Sequence, residues 1–203
     1  MKKESRPRGR PRTFDEAEVL DAATRLFWER GYEGTSIKDL IDAMGMTPPS
    51  VYAAFGSKEA LYDRVLDRYT ETFGQMLLRE LHAEPDLKRA ISALVRDWAR
   101  LLAGGAHPKG CMISLGMPAH SPDQATVARS LANRRAATRK LFLHRLEAGR
   151  DQLPEGTDLT ALANYLAMVI VGMSGLTRDG VTAKDLLAVA DVAVAAWPER
   201  PDR

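Results

Sequence analysis

Residues that start and end helices in the first third of this 203-residue chain constrain its fold more than any other feature. Ser36 and Asp39 have capping-box spacing ahead of an apolar helical face, and Gly45 suits the turn that ends such a helix. Thr47 and Pro48 then start a second short helix, because proline at the first helical position gives up an N–H that has no partner there. Two short helices joined by a tight turn predict a helix-turn-helix, with an ordinary helical hairpin as the alternative.

The rest of the chain has the pattern of helices as well. Val and Ile recur at helical spacing rather than in alternation with polar residues, which is the pattern of helices and not of strands. We therefore predict an all-α protein of about nine helices, with a three-helix N-terminal unit and a larger helical domain after it. Thr13 with Glu16 predicts a capping box for the first helix. Ser57 predicts the start of one long helix that ends near Leu81.

Charge is unevenly distributed, although the formal net charge is only +2. Residues 1–12 carry six basic side chains and one acidic side chain, whereas residues 13–64 carry five basic and ten acidic ones. Such a basic flexible arm is typical of segments that meet nucleic acid. Its Arg8, Arg10 and Arg12, spaced by glycine and proline, resemble an AT-hook, which enters the narrow minor groove of A·T-rich DNA. A tail that attracts phosphates without specificity is the alternative.

Composition and motifs exclude several classes of protein. The longest apolar run, Leu162 to Met173, is interrupted, and no apolar stretch follows the basic N-terminus, so we expect a cytoplasmic protein without a membrane span or secretory signal. We also expect no cofactor and no metal, because the spacing of His107, Cys111 and His120 matches no standard metal site. The absence of nucleophile-elbow, phosphate-loop and zinc-protease motifs argues against an enzyme.

Residues 43–61 contain the run Pro-Pro-Ser-Val-Tyr-Ala-Ala-Phe, which follows Gly-Tyr-Glu-Gly-Thr-Ser-Ile at residues 31–37. Both runs resemble the DNA-binding domain of the TetR/AcrR family of bacterial transcriptional regulators, in the branch with a Pro-Pro-Ser-x-Tyr-Ala-Ala-Phe recognition helix. Ile41 and Met44 depart from the alanines usual in that family. The resemblance implies a homodimer on a palindromic double-stranded DNA operator, most often a repressor that a small effector releases.

The resemblance also implies a domain division and a set of DNA contacts. The helix-turn-helix domain would span residues 13–60, and a ligand-binding and dimerisation domain would span residues 61–203. Tyr52 and Lys58 match the family's backbone-contacting residues, and a helix N-terminus next to Thr35 would suit a phosphate. Few long polar side chains occur in the recognition helix, so apolar contact with thymine methyl groups would replace much of the base readout. The candidate DNA-binding residues are Arg8, Arg10, Arg12, Thr35, Ser36, Thr47, Pro49, Ser50, Tyr52, Ala53 and Lys58.

The C-terminal domain has two strongly apolar helices within residues 158–197. By resemblance they form a four-helix dimer interface, and the alternative is that they belong to the core of one subunit. Candidate residues for a hydrophobic effector pocket are Trp98, Leu102, Cys111, Met112, Met117, Phe142, Tyr165 and Met168, although methionines at this spacing also suit a core. Cys111 is either a reactive thiol activated by a helix N-terminus and Lys109, or a buried packing residue. A purely architectural binder of A·T-rich DNA is the second candidate function, and a ligand-dependent operator affinity would exclude it.

Overall fold

The computed structural model describes residues 15–199, apart from the side chains of Met76, Leu77 and Glu80. All regular secondary structure in this range is helical, which confirms the all-α prediction, with ten α-helices against the nine or so expected. The helices are α1 (Glu16–Arg30), α2 (Ile37–Met44), α3 (Pro48–Phe55), α4 (Lys58–Tyr69), α5 (Gln75–Ala83), α6 (Leu87–Ala103), α7 (Met112–Leu115), α8 (Ala125–Ala148), α9 (Leu159–Arg178) and α10 (Ala183–Ala195).

The predicted turn between α2 and α3 is present. The Ser36 hydroxyl accepts a hydrogen bond from the Asp39 N–H at 3.1 Å, and the Ser36 N–H donates to the Asp39 carboxylate at 3.0 Å. Gly45 ends α2 in the left-handed conformation (φ 62°, ψ 25°), and Thr47 precedes Pro48 as the N-cap of α3. The capping box, the glycine turn and the proline start are therefore confirmed as the local devices that separate the two short helices.

The start of α1 differs from the prediction. Asp15 is the N-cap, and its carboxylate accepts a hydrogen bond from the Ala17 N–H at 2.9 Å. Glu16 is consequently the first helical residue rather than the third, so the capping box predicted from Thr13 and Glu16 is wrong. Thr13 itself lies outside the described residues. An Asp N-cap serves the same purpose, because a carboxylate accepts from free N–H groups and favours the positive end of the helix dipole.

The helical run predicted from Ser57 to about Leu81 is present and Ser57 caps it, but a π-helical turn at Thr70–Gly74, which was not predicted, divides it into α4 and α5. The Thr70 hydroxyl donates to the Leu66 carbonyl at 2.8 Å, and the Thr72 hydroxyl donates to the Arg68 carbonyl at 2.8 Å. Such back-bonding competes with the regular α-helical ladder, so closely spaced threonines ahead of a glycine favour the wider turn.

The N-terminal unit is held together by α1, which packs against α2 and α4, while α3 packs on α4. Phe27 of α1 is almost completely buried, and its ring meets the edge of Tyr62 at a centroid distance of 4.8 Å. Leu40, Leu61 and Val65 have no exposed surface and complete this small core. Aromatic and aliphatic burial thus fixes α2 and α3 on a rigid support.

The helices after α4 form a bundle in which α6 packs against α5, α9 and α10, and α8 packs against α9. Its most deeply buried side chains include Leu87, Ile91, Phe142, Leu146 and Leu166. In the described part of the chain, α9 alone is long and apolar enough to cross a membrane by length and composition. Its contacts with α6, α7 and α8 pack one side of α9 against this bundle.

Candidate nucleic-acid interface and cavity

The outer face of α3 is the candidate nucleic-acid interface. Val51 and Phe55 are buried against the rest of the N-terminal unit, because they lie one helical turn apart on the same side. The opposite side is exposed and consists of the small or flat side chains Pro49, Ser50, Tyr52, Ala53 and Ala54.

Tyr52 has the largest side chain on this face and is 51% exposed. At the start of α3, the hydroxyls of Thr47 and Ser50 lie 2.8 Å apart and share a hydrogen bond. A helix surface with short side chains can approach the floor of a DNA groove closely, and its alanine methyl groups match the apolar surface of thymine.

Thr35 and Ser36 lie together at the start of α2, but their hydroxyls serve the fold. Thr35 has no exposed surface, and its hydroxyl donates to the Gly31 carbonyl at 2.7 Å. Ser36 is exposed, and its hydroxyl donates to the Asp39 carboxylate at 2.6 Å. Hydrogen bonds from the Ser36 side chain and backbone lower the pKa of Asp39. Thr35 thus holds the turn between α1 and α2, and of the two only Ser36 is at the surface.

Lys58 begins α4 directly after the turn that ends α3. Its ammonium group lies 4.2 Å from the centroid of the Tyr32 ring, in a cation–π arrangement. Partial burial lowers the pKa of Lys58, whereas the nearby Glu33 carboxylate acts in the opposite direction. The ring therefore holds this cation at the start of α4, three residues after the end of α3, and a phosphate contact there would position a duplex. The predicted contacts Arg8, Arg10 and Arg12 lie outside the described residues.

A cavity of about 150 Å³ lies between the α4–α5 junction and helices α6, α7, α8 and α9. Aromatic rings form much of its wall, namely those of Tyr69, Phe73, Trp98 and Phe142. Arg135 and Arg139 of α8 are the charged side chains among its described lining residues. The C-terminal domain thus contains a small apolar chamber with a cationic side.

Three of the eight candidate pocket residues, Trp98, Cys111 and Phe142, line this cavity. The other five are elsewhere: Leu102 and Met112 are buried outside the lining, Met117 and Tyr165 are partly buried outside it, and Met168 is 66% exposed. Four important lining residues were not found from the sequence, namely Tyr69, Phe73, Arg135 and Arg139. They come from α4, from the turn after it and from a largely polar α8, and only tertiary packing brings them together.

Cys111 is the N-cap of α7 and is 4% exposed. Its sulfur accepts a hydrogen bond from the Ser114 N–H at 3.4 Å. Tyr69 lines the same cavity beside Cys111, and its pKa lies well above the ordinary value. Burial is the larger cause of this shift, and the neighbouring Cys111 is the next. The thiol is thus held by local hydrogen bonding and faces the chamber from its wall.

One link between the cavity and the N-terminal unit is Trp28 of α1. Its indole N–H donates a buried hydrogen bond of 2.8 Å to the carbonyl of Gly110, the residue before Cys111. Its ring makes edge contacts with Tyr69 and Phe73, both of which line the cavity, at centroid distances of 4.9 and 4.7 Å. A displaced cavity wall would therefore act directly on α1.

A second link joins α8 to α4. Arg134 donates hydrogen bonds to the carboxylates of Asp63 at 3.0 Å and Asp67 at 2.7 Å. Ser130 also donates to Asp63 at 2.6 Å, and these two partners lower the pKa of that carboxyl, with Ser130 contributing most. The next residue, Arg135, lines the cavity, so neighbouring side chains on α8 face the chamber and the N-terminal unit.

An apolar surface is exposed on α9 and α10. We call it the α9/α10 face, and it consists of Met168, Val171, Leu176, Val189 and Val192. Met168 and Val192 are 66% and 70% exposed, which is unusual for apolar side chains grouped on adjacent helices. Helix α9 also contains Gly172 and Gly175, where an added Cβ would meet no heavy atom within 4 Å. A second helix could therefore approach α9 closely at these two positions.

Comparison with known proteins gives consistent matches. The family model described as bacterial regulatory proteins, tetR family, matches residues 19–65. The HTH-type transcriptional repressor ComR of Escherichia coli (strain K12) is 35% identical over 199 residues, which cover 95% of this chain and 93% of ComR. The repressor BdcR of the same strain is 30% identical over 192 residues, with 95% and 93% coverage.

A solved structure extends the likeness to three dimensions. The TetR family transcriptional regulator CifR, as a cysteine mutant complexed with double-strand operator DNA, superposes with a TM-score of 0.90 at 36% identity. The match covers 93% of this chain and all of the CifR chain.

Proposed function

This chain belongs to the TetR family of bacterial regulatory proteins, and on that premise we propose that it is a cytoplasmic, ligand-responsive transcriptional repressor. It binds a palindromic double-stranded operator as a homodimer, and a small effector releases it. Residues 13–60 bind DNA, residues 61–203 bind the effector and form the dimer, and residues 1–12 add a basic arm. Its relatives ComR and BdcR are named as repressors, which supports this mode of action.

The observation that carries the proposal is the division of α3 into two faces. Val51 and Phe55 anchor the helix in the N-terminal core, and the opposite face carries no bulky or charged side chain apart from the flat ring of Tyr52. A recognition helix needs this arrangement, because it must be rigidly held and also enter the major groove. Helix α3 as a whole carries the Pro-Pro-Ser-x-Tyr-Ala-Ala-Phe pattern, so we assign the chain to that branch of the family.

Dimerisation is supported by the α9/α10 face. Its large apolar side chains would be costly to leave in water, and the open backbone at Gly172 and Gly175 allows close helix packing. A two-fold partner that covers this face would double the helix pair into a four-helix interface. The two copies of α3 would then meet two half-sites of one operator.

Release by an effector is supported by the contacts around the cavity. Tyr69 and Phe73 belong to its wall and also touch Trp28, and Arg134 binds α4 from the helix that carries Arg135. A ligand that moves these groups changes the position of α1 and α4. Since α2 and α3 pack on those helices, the spacing of the recognition helices in the dimer changes with them.

The direct test is fluorescence anisotropy with labelled DNA from upstream of the protein's own gene. Ala53→Glu places a negative charge on the exposed face of α3 without disturbing a buried side chain. We expect it to lower DNA affinity at least about tenfold, because the charge must approach phosphates at low dielectric. Ala132→Glu, an exposed position on α8, is the matched control and should bind as the natural protein does. Equal affinities of all three proteins would contradict the proposed role of α3.

A further inference from the structure

We propose that the effector is a small aromatic carboxylate, whose ring lies among the aromatic walls of the cavity and whose carboxylate binds Arg135 and Arg139. This inference rests on the proposed function and specifies the chemistry of its effector. It follows from three properties of the chamber, which are its size, the composition of its wall and its unbalanced charge.

Size limits the apolar part of the ligand to about one ring. The cavity measures about 150 Å³, comparable with engineered protein cavities of about 150 Å³ that bind benzene. Tyr69, Phe73, Trp98 and Phe142 supply ring faces and edges on several sides. Aromatic pairs in edge or offset contact are favourable beyond their buried area, so a flat ring suits this wall better than a flexible chain.

Charge determines the polar end of the ligand. The described lining holds Arg135 and Arg139 but no carboxylate, and neither arginine forms an ion pair with any side chain that the structure describes. Arg134, the neighbour of Arg135 on the outer side of α8, has two carboxylate partners. The side of α8 that faces the chamber thus carries two cations without a carboxylate partner among the described side chains. An anion would neutralise it, and a cation would be repelled.

The environment of Arg135 agrees with this. Burial lowers the pKa of its guanidinium, and repulsion from Arg139 lowers it further. Its Nη1 group donates to the carbonyls of Ile113 at 2.9 Å and Gly116 at 3.0 Å, which fixes the guanidinium against the α7 segment. The remaining N–H groups are free to bind a planar carboxylate, which an arginine fork matches in geometry.

Arg139 lies one helical turn beyond Arg135 and is exposed while it lines the cavity, so it stands at the opening. Two guanidinium groups four residues apart on a helix share one face, and one carboxylate can contact both. A ligand held this way would pull on α8, the helix that Arg134 ties to α4. Binding of the ligand would thereby be coupled through α8 to release of the DNA.

The test is titration calorimetry of the full-length, DNA-free protein with four probes. Benzoate has both the ring and the charge, benzamide has the ring only, benzylamine reverses the charge, and acetate lacks the ring. We expect benzoate to bind at least about tenfold more tightly than benzamide, because charge-assisted hydrogen bonds are worth about one decade or more. Benzylamine and acetate should bind weakest. Benzamide binding as tightly as benzoate would overturn the proposal.

Variants then locate the carboxylate. Arg139→Gln removes a lining cation that makes no hydrogen bond within the described chain, so folding should be preserved, and we expect its benzoate affinity to fall towards that of benzamide while Arg135 keeps part of the difference. Lys140→Gln removes an equal charge from the next residue, which does not line the cavity, and should leave the affinity unchanged. Equal losses in the two variants would mean a diffuse charge effect and would contradict the site.

Cys111 provides an independent position marker, because it is the chain's single cysteine and lines the cavity. Bound benzoate should slow alkylation of Cys111 by iodoacetamide in the native protein, and benzoate that binds without slowing it would place the ligand elsewhere. These readouts need no DNA. A protein that binds DNA but not benzoate contradicts only the effector class, and one that binds benzoate but no DNA contradicts only the proposed function.

Discussion

Trp28→Phe tests the link between the cavity and the N-terminal unit. The substitution keeps an aromatic ring in a site that is only 3% exposed, but it removes the indole N–H that donates to the Gly110 carbonyl at 2.8 Å. Gly110 is itself buried, with a positive φ of 79°, and a Cβ there would lie 2.8 Å from Leu115. The loop is therefore unable to shift easily towards a new donor.

The magnitude follows from two effects. A buried carbonyl left without its donor costs about 1–3 kcal/mol. Replacement of the two-ring indole by a single phenyl ring removes buried surface equivalent to one or two methylene groups, at about 0.8 kcal/mol each. We therefore expect the free energy of unfolding of Trp28→Phe to fall by about 2–5 kcal/mol, as measured by urea denaturation.

Trp98→Phe is the matched control. Trp98 is also buried and lines the same cavity, but its indole N–H donates to the Ile170 carbonyl at 3.1 Å, so this hydrogen bond joins α6 to α9 and does not reach α1. The Trp98→Phe variant should lose a similar free energy of unfolding but keep the operator affinity of the ligand-free natural protein. Trp28→Phe should change that affinity. Both affinities are measured by fluorescence anisotropy at a temperature where both variants are folded. A stability loss below about 0.5 kcal/mol in Trp28→Phe, or equal operator affinities of the two variants, would refute this link.

Three further outcomes are expected. Thr35→Val, which removes a fully buried hydroxyl that donates to a carbonyl, should lower the free energy of unfolding by about 1 kcal/mol and leave operator affinity of the folded protein unchanged. Val192→Glu, at a side chain 70% exposed in one subunit, should give folded monomers in sedimentation velocity, and Ala132→Glu should stay dimeric. Deletion of residues 1–12 should weaken operator binding and flatten its salt dependence. The slope of the logarithm of the binding constant against the logarithm of salt concentration should change by about 0.9 for each phosphate that the arm neutralises. An unchanged slope would contradict a DNA-binding arm.

Local signals in the sequence were sufficient for the helix-turn-helix. Capping by Ser36 and Asp39, the left-handed turn at Gly45 and the proline start of α3 are set by residues within a few positions of each other. The π-helical turn at Thr70–Gly74 was missed because a helix start and an apolar face give no sign of competing threonine hydroxyls.

The candidate site was only partly predictable for a related reason. Thr35 was expected to contact DNA, but its hydroxyl donates to the Gly31 carbonyl instead. This hydrogen bond depends on how the turn between α1 and α2 folds back on the end of α1. Arg135 and Arg139 look like solvent-facing charges in a polar helix, and only the packing of α8 against α7 and α9 turns them towards a cavity. The exposed residues of α3 could be predicted, since its two largest apolar side chains other than Tyr52, those of Val51 and Phe55, lie one helical turn apart and define a core face.

Selection of binding sites from a library of randomised duplexes by the full-length protein shows whether a dimer places two copies of α3 in successive major grooves. We predict enriched sequences with two-fold symmetry, whose half-sites are separated by about 34–36 Å or a multiple of it, close to one helical turn. The Ala53→Glu variant should enrich none of them. Enrichment of sequences that share only A·T content, without an inverted repeat, would contradict this mode of DNA binding.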